Sequence, residues 1–128
     1  MSFSEWKKYK LEDALEALID YRGKTPKKTT HGIPLITAKI VKRGFIEEPN
    51  EFIAEEDYDS WMVRGFPKVG DVVLTTEAPL GEVAQLKNSK VALAQRIVTL
   101  RGKQGVLDNA FLKYYFQSNV GQHKLKER

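Results

Sequence analysis

A basic loop at residues 21–34, YRGKTPKKTTHGIP, contains the residue types that bind phosphate. Its Gly-Lys-Thr at positions 23–25 matches the end of the nucleotide-binding pattern G-x-x-x-x-G-K-S/T, whose backbone N–H groups surround a phosphate. That pattern requires a glycine at position 18, which is Leu18 here. It also requires a helix after the threonine, which Pro26 and the KKTTHGIP that follows it cannot sustain. We therefore do not expect this loop to bind a nucleotide.

The remaining interpretation is an exposed basic loop that contacts a nucleic-acid backbone, where lysine acts as a point charge and hydroxyls fix the register. Residues 21–46 hold seven basic and no acidic residues, whereas residues 47–59 hold seven acidic and no basic ones. Two solvated surfaces that pair with each other are the alternative that charge alone leaves open. The candidates for phosphate contact are Lys24, Lys27, Lys28, Lys39, Lys42 and Arg43, with Thr25 as a hydroxyl donor.

Base edges of a duplex are read by Arg or Lys at guanine, by Asn or Gln at adenine and by carboxylates at cytosine. Candidates for such contacts fall in the basic loop, at the mouth of a hairpin and in the strand after it. They are Thr29, Thr30 and His31, then Thr75, Thr76 and Glu77, then Gln95 and Arg96. A buried amide is the alternative for Gln95, and a salt bridge to the acidic block is the alternative for Arg96.

The composition excludes several classes of protein. The chain has 128 residues, the length of one domain, and a net charge of +4. It has no cysteine, which excludes disulfides, thiolate nucleophiles and zinc ribbons. With two histidines and no spaced ligand cluster, we expect no metal site. No segment approaches the length that spans a membrane, so we expect a soluble, cytoplasmic protein.

Two further sets of residues have a functional and a structural interpretation. The carboxylates of Glu55, Glu56, Asp57 and Asp59 could bind metal, but without His or Cys nearby a solvated face or a contact with a basic partner is favoured. Aromatic side chains could stack on bases. Their positions on strands and helix faces favour core packing instead. These aromatic residues are Trp6, Trp61, Phe111, Tyr114, Tyr115 and Phe116.

The N-terminal half predicts short elements. Alternating residues in SEWKKYKL (4–11) predict a strand. LEDALEALI (11–19) is interpreted as an amphipathic helix with Leu11, Leu15, Leu18 and Ile19 on one face. IPLIT (33–37) predicts a strand, and EEDYDSWMV (55–63) a helical turn.

The C-terminal half predicts a hairpin, a strand and a helix. DVVLTT (71–76) and GEVAQL (81–86) flank a tight connection. VALAQRIVTLRG (91–102) predicts a third strand with Gln95 and Arg96 on opposite sides. DNAFLKYYFQSN (108–119) predicts a helix capped by Asp108, with Phe111, Leu112, Tyr115 and Phe116 on one face. Strands and helices do not alternate regularly, so we predict an α+β fold, a single globular domain with a mixed, mostly antiparallel β-sheet and a few short helices.

Six stretches in this order resemble a known family. They are WKKYKL, RGKTP, GIPLITAKIV, GDVVLTTEAPLGEVAQL, ALAQRIVTLRG and DNAFLKYYFQSN. Together they resemble one target recognition domain of the specificity subunit of type I restriction–modification systems, over nearly the whole chain. Each stretch is short and degenerate, and the order and spacing carry the resemblance.

The resemblance implies a non-catalytic, DNA-binding component. Such subunits contain two recognition domains, each followed by a long helix, and the paired helices act as a spacer. Each domain reads one half of a split double-stranded DNA target. The subunit positions modification subunits, which methylate adenine N6 with S-adenosylmethionine, and restriction subunits, which cut unmethylated DNA. The resemblance assigns no cofactor to the recognition domain itself.

This sequence departs from the family in holding one recognition domain, residues 1–128, without a spacer helix or a second domain. A fragment, a truncated product and a half subunit that dimerises all stay open. The chain also lacks the Asn/Asp-Pro-Pro-aromatic motif of amino-methylating enzymes, because its five prolines are never adjacent. We therefore expect no catalysis in this chain. A general nucleic-acid-binding domain, for instance for RNA, remains the alternative function.

Overall fold

The computed structural model describes residues 14–20, 26–76 and 80–118, and in these ranges it contains ten β-strands and two α-helices. The strands are β1 (Leu15–Asp20), β2 (Lys28–Thr29), β3 (Ile33–Ile36), β4 (Val41–Lys42), β5 (Phe45–Ile46), β6 (Phe52–Ile53), β7 (Val72–Thr76), β8 (Leu80–Gln85), β9 (Ala92–Leu93) and β10 (Ile97–Gly102). The helices are α1 (Tyr58–Trp61) and α2 (Asn109–Gln117), and 3₁₀ turns lie at Ala38–Ile40 and Glu55–Asp57.

The longest of these strands form one antiparallel sheet in the order β1-β10-β7-β8. Both faces of this sheet are covered, because Val72 and Leu74 pack with α2 residues, whereas Val73 packs with the second sheet. Successive side chains of a strand point to opposite faces, so a strand covered on both sides is apolar throughout. This explains the continuous buried run from Val72 to Thr75.

The second sheet has the order β2-β6-β3-β9, in which β3 and β9 run parallel and the other pairs are antiparallel. Helix α1 is fixed to this sheet by two side chains. Trp61 Nε1 donates to the Leu93 carbonyl at 3.0 Å, and the Tyr58 hydroxyl donates to the Val91 carbonyl at 3.1 Å. The predicted α+β class with a mixed, mostly antiparallel sheet and short helices is confirmed.

One end of the four-stranded sheet, here called the anchor edge, is held by buried polar side chains. Asp71, 1% exposed, accepts from Arg101 Nε and Nη2 at 2.8 Å each and from the Lys68 backbone N–H at 2.8 Å. The same carboxylate raises the pKa of Arg101, chiefly through these hydrogen bonds. Asn109 accepts from the Gly102 N–H and donates to the Gly70 carbonyl. These two bonds connect the start of α2 to the end of β10 and to the segment before β7.

The predicted helix over residues 11–19 is wrong from Leu15 onward, because residues 15–20 form β1. The strand pairs with β10, and the register shifts between Leu15 and Ala17. This bulge turns Leu15 towards the α2 side of the sheet, whereas Ile19 packs on the other side. A leucine-rich segment with apolar residues four apart therefore has a helical pattern but pairs as a strand. The strand predicted over residues 4–11 lies outside the described residues.

The predicted single strand over residues 91–102 is also wrong. It is two strands, β9 in the second sheet and β10 in the first, joined by a turn at Gln95 and Arg96. Arg96 has φ = 70°, which breaks the extended conformation. The sequence did not show the break because residues 91–94 are buried at every position, and an uninterrupted apolar run carries no alternation.

The hairpin, the strand at residues 33–36, the turn at residues 55–61 and the C-terminal helix are confirmed. Asp108 caps α2 as predicted, since its Oδ1 accepts from the Ala110 N–H at 2.7 Å. Leu112 and Phe116 are buried against the sheet. Phe111, placed on the same face by the sequence, is 58% exposed, because α2 crosses the β8 side of the sheet and presents Phe111 outward.

Candidate nucleic-acid interface

The end of the four-stranded sheet opposite the anchor edge collects three of the predicted segments. Asp20 of β1 pairs with Val98 of β10, and Ile97, the residue before Val98, pairs with Thr75 of β7. The basic loop therefore begins, the hairpin turns and β10 starts at the same end of the sheet. We call this end the loop edge and define it by Asp20, Thr76, Leu80, Gln95 and Arg96. Lys24, Thr25 and Glu77 lie outside the described residues.

The Gln95–Arg96 turn connects the two sheets at the loop edge. Arg96 is exposed and carries the only positive φ among the non-glycine residues that the structure describes. For an L-residue this conformation costs about 1–2 kcal/mol. The Arg96 carbonyl accepts from the Thr76 N–H at 2.9 Å, so the hairpin holds the turn in place. An exposed cationic side chain is thus carried by a turn that joins the two sheets and is hydrogen-bonded to the hairpin.

The two threonines at the hairpin mouth have different environments. Thr76 is exposed at the loop edge. Thr75 has no exposed surface, and its Oγ1 accepts from the Glu82 N–H at 2.8 Å, where β7 and β8 shift register. A side chain buried in this way does not reach a base edge, so the structure assigns Thr75 to the internal bonding of the hairpin. Gln95 is half-buried and lies in the turn, outside the apolar strand face in which the sequence placed it.

Arg64 is a loop-edge neighbour that sequence reasoning missed. It lies after α1, and its Nη1 donates to the Asp20 carbonyl at 2.5 Å. The adjacent Gly65, at φ = 141°, lies so close to Ile19 that an added Cβ would be 3.2 Å from its Cδ1. The two partners are 44 residues apart in the chain, and no local pattern could have indicated the contact. Arg64 therefore places a second guanidinium where the basic loop begins.

Three lysines of the basic segment are paired with the acidic block that follows it. Lys28 Nζ lies 2.7 Å from Glu51 Oε1, Lys39 Nζ lies 3.8 Å from Glu51 Oε2, and Lys42 Nζ lies 3.8 Å from Glu47 Oε1. The hydrogen bond from Lys28 is the largest cause of the lowered pKa of Glu51. For these residues the structure shows the self-pairing arrangement that the charge distribution left open.

The other two described cations of the segment are exposed. Lys27 precedes β2 and Arg43 lies in the β4–β5 turn, and neither forms an ion pair with the residues that the structure describes. These two side chains, unlike the three paired lysines, can meet a phosphate without giving up a carboxylate.

Thr29, Thr30 and His31 form a separate group. The Thr29 hydroxyl donates to the His31 carbonyl at 2.6 Å, and Thr30 Oγ1 lies 3.2 Å from His31 Nδ1. His31 leads into the start of β3, whereas the Gln95–Arg96 turn follows the end of β9, the parallel neighbour of β3. The sequence-predicted residues are therefore not brought to one place. Thr76, Gln95 and Arg96 share the loop edge, and the group at His31 lies at the other end of the parallel pair.

Comparisons with known proteins agree with this architecture. The family model for the type I restriction modification DNA specificity domain matches residues 3–127. The chain belongs to this family. The resemblance that the six sequence stretches indicated is thereby confirmed. No curated protein sequence matches the chain.

Two solved structures are similar to this specificity domain in fold. The HsdS subunit from Thermoanaerobacter tengcongensis has 18% sequence identity and a TM-score of 0.65, over 93% of this chain and 28% of that one. A chain from a structure of complex assembly and conformational transition of the type I R-M system has 16% identity and a TM-score of 0.62, over 84% of this chain and 26% of that one. This specificity domain thus spans about a quarter of the length of each of those chains.

The remaining candidates of the specificity domain separate into core and surface residues. Trp61 and Phe116 pack against or within the core, as predicted. Tyr114 is 64% exposed, so the expectation of core packing is wrong for this residue and for Phe111. Glu55, Glu56 and Asp59 are exposed. Among the described residues no group of carboxylates or histidines is arranged to hold a metal ion, and no helix is long and apolar enough to cross a membrane.

Proposed function

We propose that this specificity domain reads one half of a split double-stranded DNA target. In this proposal it directs adenine methylation by a modification subunit and cleavage by a restriction subunit, and it performs no chemical step itself. Membership of the DNA specificity family supports the DNA-binding part. The similar chain from a type I R-M assembly supports the partner subunits.

The observation that carries the proposal is the convergence of three segments at the loop edge. Specific reading requires side chains that reach base edges from a backbone that does not move. Arg96 meets this requirement, because its turn is fixed to both sheets and its side chain is exposed. Thr76 and Gln95 lie beside it, and Glu77 directly follows Thr76 in the chain.

Phosphate contacts are proposed for the cations around this reading group. Lys27 and Arg43 offer exposed charge, and Lys24 and Thr25 belong to the same basic loop. Arg64 joins them on structural grounds, through its contact at the root of that loop. Lys28, Lys39 and Lys42 can contribute only by exchanging a carboxylate for a phosphate. Thr29, Thr30 and His31 are proposed as contacts to a more distant part of the backbone.

The alternative, a general nucleic-acid-binding domain, would depend mainly on free positive charge. The pairing of three of the basic residues with Glu47 and Glu51 reduces that charge, so the structure favours reading over purely electrostatic binding. A preference for single strands over duplex would nevertheless establish the alternative.

The test is selection from a random duplex DNA library, with and without a co-expressed modification subunit, followed by sequencing. We expect enrichment of a short motif of roughly three to five base pairs, since a single domain of this size reads only a few bases. Binding that enriches no motif and disappears as salt rises would overturn the proposal.

A further inference from the structure

Glu51 occupies the position between two lysines where a phosphate would bind. One carboxylate oxygen faces Lys28 Nζ at 2.7 Å and the other faces Lys39 Nζ at 3.8 Å. The two lysines come from separate elements, β2 and the 3₁₀ turn after β3, and both contact this carboxylate. An anion with two oxygens is thus already held by two cations of the basic segment.

Glu51 is held at its backbone, and its side chain is the least exposed of the three. The Glu51 carbonyl accepts from the Leu35 N–H at 2.9 Å, at the entry of β6, the strand between β2 and β3. The Glu51 side chain is 21% exposed, against 46% for Lys28 and 75% for Lys39. The carboxylate is therefore the stationary member, and the lysine head groups are the members that can turn to another anion.

We propose that Lys28 and Lys39 form a binding site for a phosphate of the duplex backbone, and that Glu51 occupies this site in the absence of DNA. The proposal rests on the function proposed above and adds a residue that limits sequence-independent binding. Exposed ion pairs are weak, so a DNA phosphate can replace the carboxylate. Because the replacement leaves Glu51 without its partners, Glu51 lowers the affinity of the site for any duplex.

Charge counting gives the expected size of the effect. Two lysines and one carboxylate carry a net charge of about +1, which becomes about +2 when the carboxylate is replaced by an amide. Each additional phosphate neutralised on a duplex steepens the dependence of log affinity on log salt by about 0.9. We therefore expect Glu51→Gln to steepen this slope by about 1, and to strengthen binding to a non-target duplex by roughly 3- to 10-fold at low salt.

The experiment measures binding of the full chain, with its modification partner, to a selected and a scrambled duplex by fluorescence anisotropy over a series of salt concentrations. Glu55→Gln is the matched control, because it makes the same charge change at an exposed carboxylate that pairs with Lys90, outside the basic segment. We expect Glu51→Gln to strengthen binding as above and Glu55→Gln to change affinity by less than twofold. The double variant Lys28→Gln/Glu51→Gln should lose the gain.

The outcomes separate this inference from the proposed function. If the unaltered protein selects a motif but Glu51→Gln matches it in affinity and slope, only the inference about Glu51 is overturned. If Glu51→Gln and Glu55→Gln strengthen binding equally, the effect is one of overall charge, and the site is likewise overturned. If the unaltered protein binds no duplex at any salt concentration, the proposed function and this inference fail together.

Discussion

The loop edge and the anchor edge are opposite ends of the same four strands, yet their side chains differ in burial and in bonding. At the anchor edge, Asp71 is 1% exposed and bonded to Arg101 through both carboxylate oxygens. Gly102 lies there so close to Leu107 that an added Cβ would clash with the Leu107 carbonyl oxygen. At the loop edge, Thr76 and Arg96 are exposed, and Arg96 has a positive φ, which is unfavourable for an L-residue.

The difference separates the end of the sheet that holds the fold together from the end that is open to solvent. The anchor edge closes the sheet onto α2 and tolerates little change, because its polar groups are buried and mutually bonded. The loop edge contributes few buried contacts, so its side chains can change without loss of the fold. If the division holds, substitutions at the anchor edge should lower the free energy of unfolding most, and substitutions at the loop edge least.

Replacing Asp71 should give the largest loss. Asp71→Ala leaves the guanidinium of Arg101, only 13% exposed, without its main partner, and Glu16 at 3.2 Å compensates in part. We expect a loss of about 3 kcal/mol, as for other buried pairs broken on one side. Urea unfolding measures it. Lys90→Ala, which removes an exposed pair with Glu55, is the control and should stay within about 0.5 kcal/mol. A loss below about 1 kcal/mol for Asp71→Ala would contradict the anchoring role.

The second comparison uses two buried threonines, one with a hydrogen-bonded hydroxyl and one whose hydroxyl has no partner among the described residues. Thr75→Val removes the acceptor of the Glu82 N–H and should cost about 1–2 kcal/mol. Thr99 is 1% exposed, and its hydroxyl has no hydrogen-bond partner within the part of the chain that the structure describes. Thr99→Val should therefore be neutral or stabilising by up to about 1 kcal/mol. Urea unfolding of both variants decides, and equal losses would show that the hairpin bond contributes nothing particular.

The cap of α2 is the third test. Asp108→Ala removes the side-chain acceptor for the Ala110 N–H and should cost about 1 kcal/mol, the usual contribution of an N-cap. Asp59→Ala makes the same substitution at an exposed position within α1 and serves as the control. Thermal unfolding of the two variants side by side measures the difference. An unchanged midpoint for Asp108→Ala would show that the cap does not contribute to stability.

Local patterns predicted what depends on neighbouring residues. The cap at Asp108, the pairing of β7 with β8 and the helical turn at residues 55–61 follow from turn chemistry and short-range periodicity. The strand at residues 15–20 could not be predicted in the same way, because its pairing with β10 and its bulge involve residues 78 to 87 positions away. Pairing over such distances overrides the helical spacing of the leucines.

The candidate site divides along the same line. Composition identified the cations, but not their partners. Glu51 neutralises two of them from a position after the basic segment, and Arg64 joins the loop edge through a contact that spans 44 residues. Thr75 and Thr76 are adjacent and chemically identical, yet one is buried and the other exposed, at the place where the register of β7 and β8 shifts between Leu74 and Thr76. Such a shift leaves no mark in the order of residue types.

The smallest effect on stability, and the sharpest test of the comparison, is expected at Arg96. Arg96→Gly removes the side chain but adopts φ = 70° without strain, whereas Arg96→Ala removes the side chain and keeps the strain. We therefore expect the glycine variant to be more stable than the alanine variant by about 1 kcal/mol.

Motif selection should not distinguish the two Arg96 variants, because both lose the side chain that is proposed to read a base. We expect selection of at least one base position to disappear in both variants. Lys103→Ala, an exposed cation beyond the anchor edge, makes the same change in charge and should keep the motif. If Arg96→Gly selected the same motif as the unaltered protein, Arg96 would not be a base-reading residue. If it were less stable than Arg96→Ala, the strained backbone would no longer distinguish this end of the sheet from the other. A role of Arg96 in recognition explains its positive φ only if the substitutions abolish motif selection without lowering stability. If Arg96 were needed for folding, the glycine variant would lose stability and motif selection together.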